Sequence, residues 1–382
     1  MKYDFIIIGG GIAGLTTAIA LQKEGYQVKV LERMKQIKEL GAGLGLGANA
    51  WRGLSQLGLT NELVNHCHLL ESTKFLDHKG RLLSELNIAH LNEKYGAAYF
   101  TIHRGDLQSV LVKQLEEGTL ELNQHVTNFT QNESGVTVYL KDGRTIEGNA
   151  LIAADGIHSN IRKNIQPEIQ PRYAGYTCWR GVIHVPKDTY STGDFTETWG
   201  TKGRFGIVPL TKNRIYWFAC VNAPYRSKAM LAMKTNDLSQ HFQDYHSPIP
   251  ELIKMTKDEE LIWNDIIDLK PLNRFAYNRV LLIGDAAHAT TPNMGQGAAQ
   301  AIEDALILKN AINKNKRVED SFREFEKLRM AKTKKIINLS WRIGQAAQIQ
   351  NPLLIGIRNT CMQIIPTKIQ ENQLESIFQT DF

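Results

Sequence analysis

The chain has 382 residues, 42% of them hydrophobic and 22% charged, enough for two domains or for one large α/β domain carrying an insertion. Its formal charge of +6 is modest, and its basic residues are interspersed with acids except between Lys327 and Lys335; this argues against a nucleic-acid partner and leaves a mild attraction for anionic small molecules. No stretch approaches the roughly 18 consecutive apolar residues of a membrane-spanning helix, so no integral membrane segment is expected and the chain reads as soluble and globular.

Met1-Lys2-Tyr3-Asp4 runs directly into the apolar Phe5-Ile6-Ile7-Ile8, and a glycine turn stands where a signal peptide would need its cleavage site, so a cytoplasmic protein is expected. The apolar run reads as a strand, Ile12 to Lys23 has helical spacing, and Gln27 to Leu31 reads as a second strand, which together make a βαβ unit. A helix from Gln108 to Leu115 follows, with Asp106 as its N-cap. Val136 to Leu140 and Thr145-Ile146 flank Lys141-Asp142-Gly143-Arg144, and Asp-Gly between alternating strands is a hairpin signal. From Tyr176 to Pro271 the texture changes to alternating, Trp-rich segments such as Arg214 to Phe218, a β-rich second domain. Val280 to Ile283 returns as a buried strand, Gly297 to Lys309 as a helix, and the chain is helical from Ser321 into a tail. Cys67, Cys178, Cys220 and Cys361 are far apart and at no metal-ligand spacing, so buried free thiols are expected and no metal site.

Gly9-Gly10-Gly11-Ile12-Ala13-Gly14 satisfies G-x-G-x-x-G between that first strand and helix. In such a turn Gly9 bends the chain, Gly11 lets a pyrophosphate approach the backbone, and Gly14 lets helix and strand pack closely. The phosphate then lies on the free N–H groups of the helix N-terminus, including those of Ile12 and Ala13. Glu32 closes the second strand eighteen residues after Gly14, placed to accept hydrogen bonds from ribose hydroxyls. The fingerprint announces a dinucleotide without saying which.

Two later segments narrow it. One is Leu151 to Arg162, holding Asp155-Gly156; the other is Leu281 to His288, holding Gly284-Asp285, followed by Pro292-Asn293-Met294-Gly295-Gln296-Gly297-Ala298 and Glu303-Asp304-Ala305. With the fingerprint, these residues resemble the class A flavoprotein monooxygenases, the family of para-hydroxybenzoate, salicylate and urate hydroxylases and zeaxanthin epoxidase. The resemblance covers roughly residues 1 to 345 and keeps the family's motif order. It implies FAD as cofactor and NAD(P)H as a transient co-substrate, with Asp155, Gly156 and Arg162 supporting both. It implies that Gly284 and Asp285 meet the ribityl or ribose region, and that Gly295, Gln296, Gly297 and Ala298 open a helix beneath the flavin pyrimidine edge. Arg104 resembles the family arginine near the FAD phosphates. Arg33, Gly45 and Asn49 are lesser cofactor candidates, each also consistent with an ordinary surface or turn residue.

The implied fold is α/β, in the α+β two-domain sense: a discontinuous Rossmann-like FAD-binding domain (1–72, 99–174 and 272–345), an inserted β-rich substrate domain (73–98 and 175–271) and a C-terminal helical tail (346–382). The implied reaction is hydroxylation of a small aromatic, heteroaromatic or conjugated substrate with O2 through a flavin hydroperoxide. The flavin carries the hard step and needs no protein nucleophile, so His288 reads as a packing and hydrogen-bonding residue. Arg204 and Tyr216, with Arg180, are the polar substrate candidates of the β-rich domain, and Pro292 is a further catalytic candidate; each of the three polar ones also fits a core or salt-bridge role. A reductase of the geranylgeranyl reductase type and a non-catalytic flavoprotein remain as alternatives, although the lack of a second complete G-x-G-x-x-G suits a transient nicotinamide partner.

Overall fold

The computed structural model describes residues 2–37, 42–95, 99–186, 193–380 and 382. The other positions, 1, 38–41, 96–98, 187–192 and 381, all inside the domain boundaries given above, lie outside the described residues.

Lys2–Ile8 forms the central strand because Phe5 to Ile8 is apolar on both faces, as a parallel strand covered by helices on both sides must be. It pairs in parallel with Thr145–Ala153 on one side and Val28–Leu31 on the other. The sheet continues to Val280–Leu282 and Ala276–Tyr277 beyond the first neighbour and to Leu120–Glu121 beyond the second. The Lys141 to Arg144 turn joins Gly135–Leu140 to Thr145–Ala153 as a hairpin, with Gly143 at φ +88°. The Ile12–Gln22 helix packs beside Gly297–Lys314, which in turn carries the 30-residue helix Val318–Ala347.

A second sheet runs Ile262–Asp268, Arg172–His184, Arg214–Asn222, Gly203–Leu210, Asp194–Gly200, Ser72–Asp77 and Leu82–Asn87. Its period-2 alternation sends Trp179, Phe205 and Trp217 to one face, where they bury against Leu238, Phe242, Ile249 and Leu252 of short helices. The β-rich segment is thus a sheet with helices on its back. A small three-stranded sheet of Gly43–Gly47, Tyr99–His103 and Cys67–Leu69 stands between the two large ones. The α/β two-domain class is the one expected.

Three expectations shift. The helix expected from Gln108 begins at Arg104 and ends at Lys113, with the His103 backbone as N-cap. Asp106 lies in its first turn, where the helix dipole favours an acid, and its carboxylate takes Arg214 Nη2 at 2.6 Å instead of capping. The helix that starts at Gly297 continues to Lys314. The tail folds as two helices, Pro352–Ile364 and Thr367–Phe378, and returns to the first domain: Phe378 is fully buried, its ring 6.4 Å from that of Tyr99. No helix among the described residues is long and apolar enough to cross a membrane, and the four cysteines are unpaired.

Candidate active site

The glycine turn is built by packing on one side and left open on the other. A Cβ on Gly14 would collide with the Gly9 carbonyl oxygen, so the helix can approach the strand only with glycine there. A Cβ on Gly11, at the unremarkable φ of −81°, would meet no protein atom within 4 Å. Nothing in the chain itself requires glycine at that position; a ligand lying on the turn would. Gly10 N–H donates to Glu32 Oε2 at 2.6 Å and Met34 N–H to Glu32 Oε1 at 2.8 Å, so Glu32 holds the glycine turn with one oxygen and the loop after its own strand with the other, and has only its remaining lone pairs for a ribose. Gln108 Nε2 braces the same turn through the Gly10 carbonyl at 2.8 Å, a role no sequence signal announced. Arg33 is exposed beside it.

The opposite wall begins where a Gly284 Cβ would come within 2.8 Å of the Ala13 methyl. Asp285 follows, with its side chain open to the cleft. Solvent touches it, yet the concave walls withdraw it from bulk water: desolvation raises its carboxyl above the usual range, against the opposing pull of His288, Arg104 and Arg162. Arg104, half-buried at the start of its helix, makes no side-chain hydrogen bond among the described residues. Asp155 accepts Asn160 N–H on Oδ2 at 2.8 Å, and its buried Oδ1 has no partner. Beside it Gly156 turns with φ +80°.

Arg162 acts from inside the fold. It is wholly buried and donates to the carbonyls of Ala286, at 2.9 Å, and Ile157. Its guanidinium thus ties the Asp-Gly loop to the Gly-Asp segment. His288 is buried, with Nε2 at 2.7 Å from Asp304 Oδ2, in keeping with a packing and hydrogen-bonding role.

The third element is the turn Pro292–Met294, closed by Gly295 at φ +61° and entering the Gly297–Lys314 helix through Gln296. It faces Gly45 and Tyr99: a Cβ on Gly295 would lie 2.9 Å from the Tyr99 hydroxyl and 3.3 Å from the Gly45 carbonyl oxygen. Asn49 is buried rather than superficial, and donates to Gln296 Oε1 at 3.1 Å and to Glu303. Asn49 Oδ1 and Gln296 Nε2 are buried without partners. A Cβ on Gly297 would meet nothing, and Ala298 beside it is half-buried. Behind the turn, Arg329 donates to Asp304 Oδ1 at 2.6 Å and to Glu303 Oε2 at 2.8 Å, all three without exposed side chain. Open positions on Gly11 and Gly297, with unpartnered polar atoms on Asp155, Asn49 and Gln296, fit a dinucleotide along this cleft.

The face of the second sheet opposite Trp217 carries three cross-strand rows set by register: Trp199, Arg204, Cys220 and Cys178; Glu197, Gly206, Phe218 and Arg180; Val208, Tyr216 and Val182. Arg204 does not present a free guanidinium. It is 2% exposed, pairs with Glu197 Oε1 at 3.0 Å, reaches the Tyr176 hydroxyl at 3.4 Å and donates to Asn293. Tyr216 is also buried: its ring fills the space a Gly43 Cβ would need, and desolvation raises its pKa against the opposing charge of Arg180. Half-buried Phe218 lies over Gly206, with the Phe195 ring 6.5 Å away and near-parallel. Pro292 is exposed at the head of the turn. Tyr99, Tyr176, Glu197 and Phe218 were not singled out by sequence; only the strand alternation of Glu197 and Phe218 hinted at a shared face. Tyr99 is pushed up to about 12 by desolvation, with Glu197 adding repulsion.

A family model described as FAD binding domain matches residues 2–327. The chain is 35% identical over 361 residues to an aurachin C monooxygenase/isomerase of Stigmatella aurantiaca, covering 94% of each chain. It is 28% identical over 379 residues to the 2-heptyl-3-hydroxy-4(1H)-quinolone synthase of Pseudomonas aeruginosa, covering 98% of this chain and 97% of that one. Among solved structures it is similar to Klebsiella pneumoniae HpxO complexed with FAD and uric acid, with a TM-score of 0.91, 26% identity and coverage of 98% and 96%.

Proposed function

The chain belongs to the FAD binding domain family and is an FAD-dependent monooxygenase with NAD(P)H as reductant, and from that premise we propose that its substrate is a flat, fused nitrogen heteroaromatic, hydroxylated with O2 in the cytoplasm. Two relatives carry such rings in their descriptions, a quinolone and uric acid. The aurachin C relative is a monooxygenase, which favours oxygen transfer over the reductase reading. Cytoplasmic placement rests on the intracellular supply of NAD(P)H and on four unpaired cysteines.

One observation carries the assignment of the substrate face. Arg204, on the second sheet, is bonded to Asn293, in the turn that opens the Gly297–Lys314 helix, so the sheet face and the flavin seat are fixed against each other. When bound, FAD supplies the redox chemistry: it takes electrons from NAD(P)H and delivers one atom of O2 to the ring. Gly11, Ile12, Ala13 and Gly14 would hold its pyrophosphate, Glu32 its adenosine ribose, and Asp285 and Arg104 its middle. The free N–H groups of Gly297 and Ala298, at the positive end of an 18-residue helix, would hold negative charge on the reduced pyrimidine edge. Phe218 offers the substrate ring a stacking surface, the buried Tyr216 and Val208 behind it exclude water, and half-buried Arg180 supplies a polar contact at the rim.

The test is NAD(P)H oxidation and product formation by FAD-loaded enzyme with a panel of quinolones, purines and pyridine carboxylates, under 18O2. The expected result is substrate-stimulated oxidation with one labelled oxygen in the product. Turnover without O2, or product carrying only solvent oxygen, overturns the reading.

A further inference from the structure

The Pro352–Ile364 helix carries an apolar stripe that is exposed among the described residues. Leu353, Ile357 and Ile364 are 80%, 62% and 70% exposed, and Leu354 and Ile365 are exposed beside them. The spacing 353, 357, 364, with exposed Cys361 between, places them on one side of the helix. The other side is anchored. Arg358 is buried, donates to the Ala346 carbonyl at 3.3 Å and lies 5.0 Å over the ring of Trp199, in the sheet face that walls the active site. Monomeric surfaces rarely leave so many large apolar side chains together in water unless something covers them.

The charge around the stripe says what covers it. From Lys327 to Gln370 the chain has no Asp or Glu, yet it carries Lys327, Arg329, Lys332, Lys334, Lys335, Arg342, Arg358 and Lys368. Arg329 and Lys332 are consumed internally by Glu303 and Asp304. Lys334, Lys335 and Arg342, on the helix leading in, and Lys368, four residues beyond Ile364, are exposed and make no ion pair among the described residues. The next acids, Glu371 and Glu375, are half-buried in the last helix. An exposed apolar stripe whose flanking sequence carries only cations, with the exposed Glu85 of the neighbouring strand paired to Lys74, is the pattern of a helix lying in the plane of a bilayer, its apolar side among the acyl chains and its basic neighbours at anionic headgroups. With 13 residues, it is shorter than the roughly 20 needed to span.

The geometry points to the Pro352–Ile364 helix as a docking surface for an anionic lipid membrane. This does not depend on the substrate proposed above, though it sets the substrate sheet one helix away from the lipid.

The experiment is flotation of the full, FAD-loaded chain with vesicles of phosphatidylcholine alone and with phosphatidylglycerol added, at 0.1 M and 0.5 M salt. The expected result is co-flotation with the anionic vesicles, weakened by high salt and by removal of the anionic lipid. The neutral triple variant Leu353→Gln, Ile357→Gln, Ile364→Gln should lose the bound fraction by about tenfold or more while keeping its FAD absorbance and melting temperature, because its changes are confined to exposed positions. Wild-type protein that floats with neither vesicle overturns the proposal, as does a triple variant that floats like wild type. A wild-type dimer in light scattering that the triple variant dissociates also overturns it, since the stripe would then be covered by a second copy.

Discussion

Arg204, in the middle of the second sheet, donates a hydrogen bond to the side chain of Asn293, in the turn before the Gly297–Lys314 helix, across 89 residues of sequence. The same guanidinium is paired with buried Glu197, whose Oε1 also accepts Trp199 Nε1–H at 2.9 Å. Arg204 is therefore a positioning residue with two separable duties: neutralising Glu197 and holding the turn.

Arg204→Ala strands a buried carboxylate and should cost about 3–5 kcal/mol of stability, the usual result of removing one partner of a buried pair. It should also uncouple the reaction, seen as more hydrogen peroxide per NAD(P)H consumed. Adding Glu197→Gln should recover most of the melting temperature and none of the coupling, because the bond to Asn293 is still missing. A double variant that regains coupling would show that the Asn293 contact is incidental.

The fingerprint glycines should separate in a titration. Gly11→Ala adds a methyl that meets no protein atom, so apoprotein stability should stay within about 0.5 kcal/mol of wild type, while FAD affinity falls at least about tenfold as the methyl enters the pyrophosphate seat. Gly14→Ala collides with the Gly9 carbonyl and should lower apoprotein stability itself by about 1–3 kcal/mol. Melting of apoprotein, with fluorescence titration of FAD, reads both. Equal FAD affinity in Gly11→Ala and wild type would place the pyrophosphate elsewhere.

Asp285 should show a trade between stability and binding. Its folded pKa is raised, chiefly by desolvation, so the folded state holds the proton more tightly than the unfolded state does. Its contribution to stability therefore falls as pH rises from the unfolded value of about 4 through the folded one, and the charged form is a net cost at pH 7. Asp285→Asn should raise the melting temperature of apoprotein at pH 7 and weaken FAD binding by about 1–3 kcal/mol. An apoprotein that melts lower at pH 7, with unchanged FAD affinity, would contradict both halves.

Asp304, nineteen residues further on, should behave in the opposite sense. Desolvation acts against its charge, but His288 and Arg329, with the Gly284 N–H, outweigh it and hold the folded pKa below the usual value. Its stabilisation is present above the unfolded pKa of about 4 and is lost as pH falls through the folded one. Asp304→Asn should thus be destabilised by about 3–5 kcal/mol at pH 7, and the gap to wild type should close as the pH is taken below about 4. Melting temperatures at pH 7, 5 and 3.5 test this; a gap independent of pH would mean that the charge of Asp304 contributes nothing.

How far the sequence reached depended on the range of each interaction. The helix start at Arg104 was placed a turn late because Asp106 looks locally like a cap, and only Arg214, 108 residues away, shows where its carboxylate goes. Arg162 carries a motif position, but its direction, into the carbonyls of Ile157 and Ala286, depends on a second segment 124 residues distant. For Asn49 the sequence leaves a cofactor contact and an ordinary surface or turn residue both open, because its partner Gln296 lies 247 residues along the chain.

By itself the sequence determined what adjacent residues decide: the apolar parallel strands, the glycine turn with Glu32 closing its second strand, the Asp-Gly hairpin, the α/β class and the FAD chemistry written in three motifs. These signals are local, because strand alternation, helical periodicity and turn geometry act over a few residues. Only the tertiary structure decided which polar groups are consumed by the fold and which are left facing the cleft. Arg162, Arg204 and Glu303 are consumed; Asp285, Arg104 and the open face of Gly11 are left. The reason is desolvation: a charge or amide withdrawn from water must find a partner wherever the chain brings one near, and that partner is fixed by the packing of the two sheets.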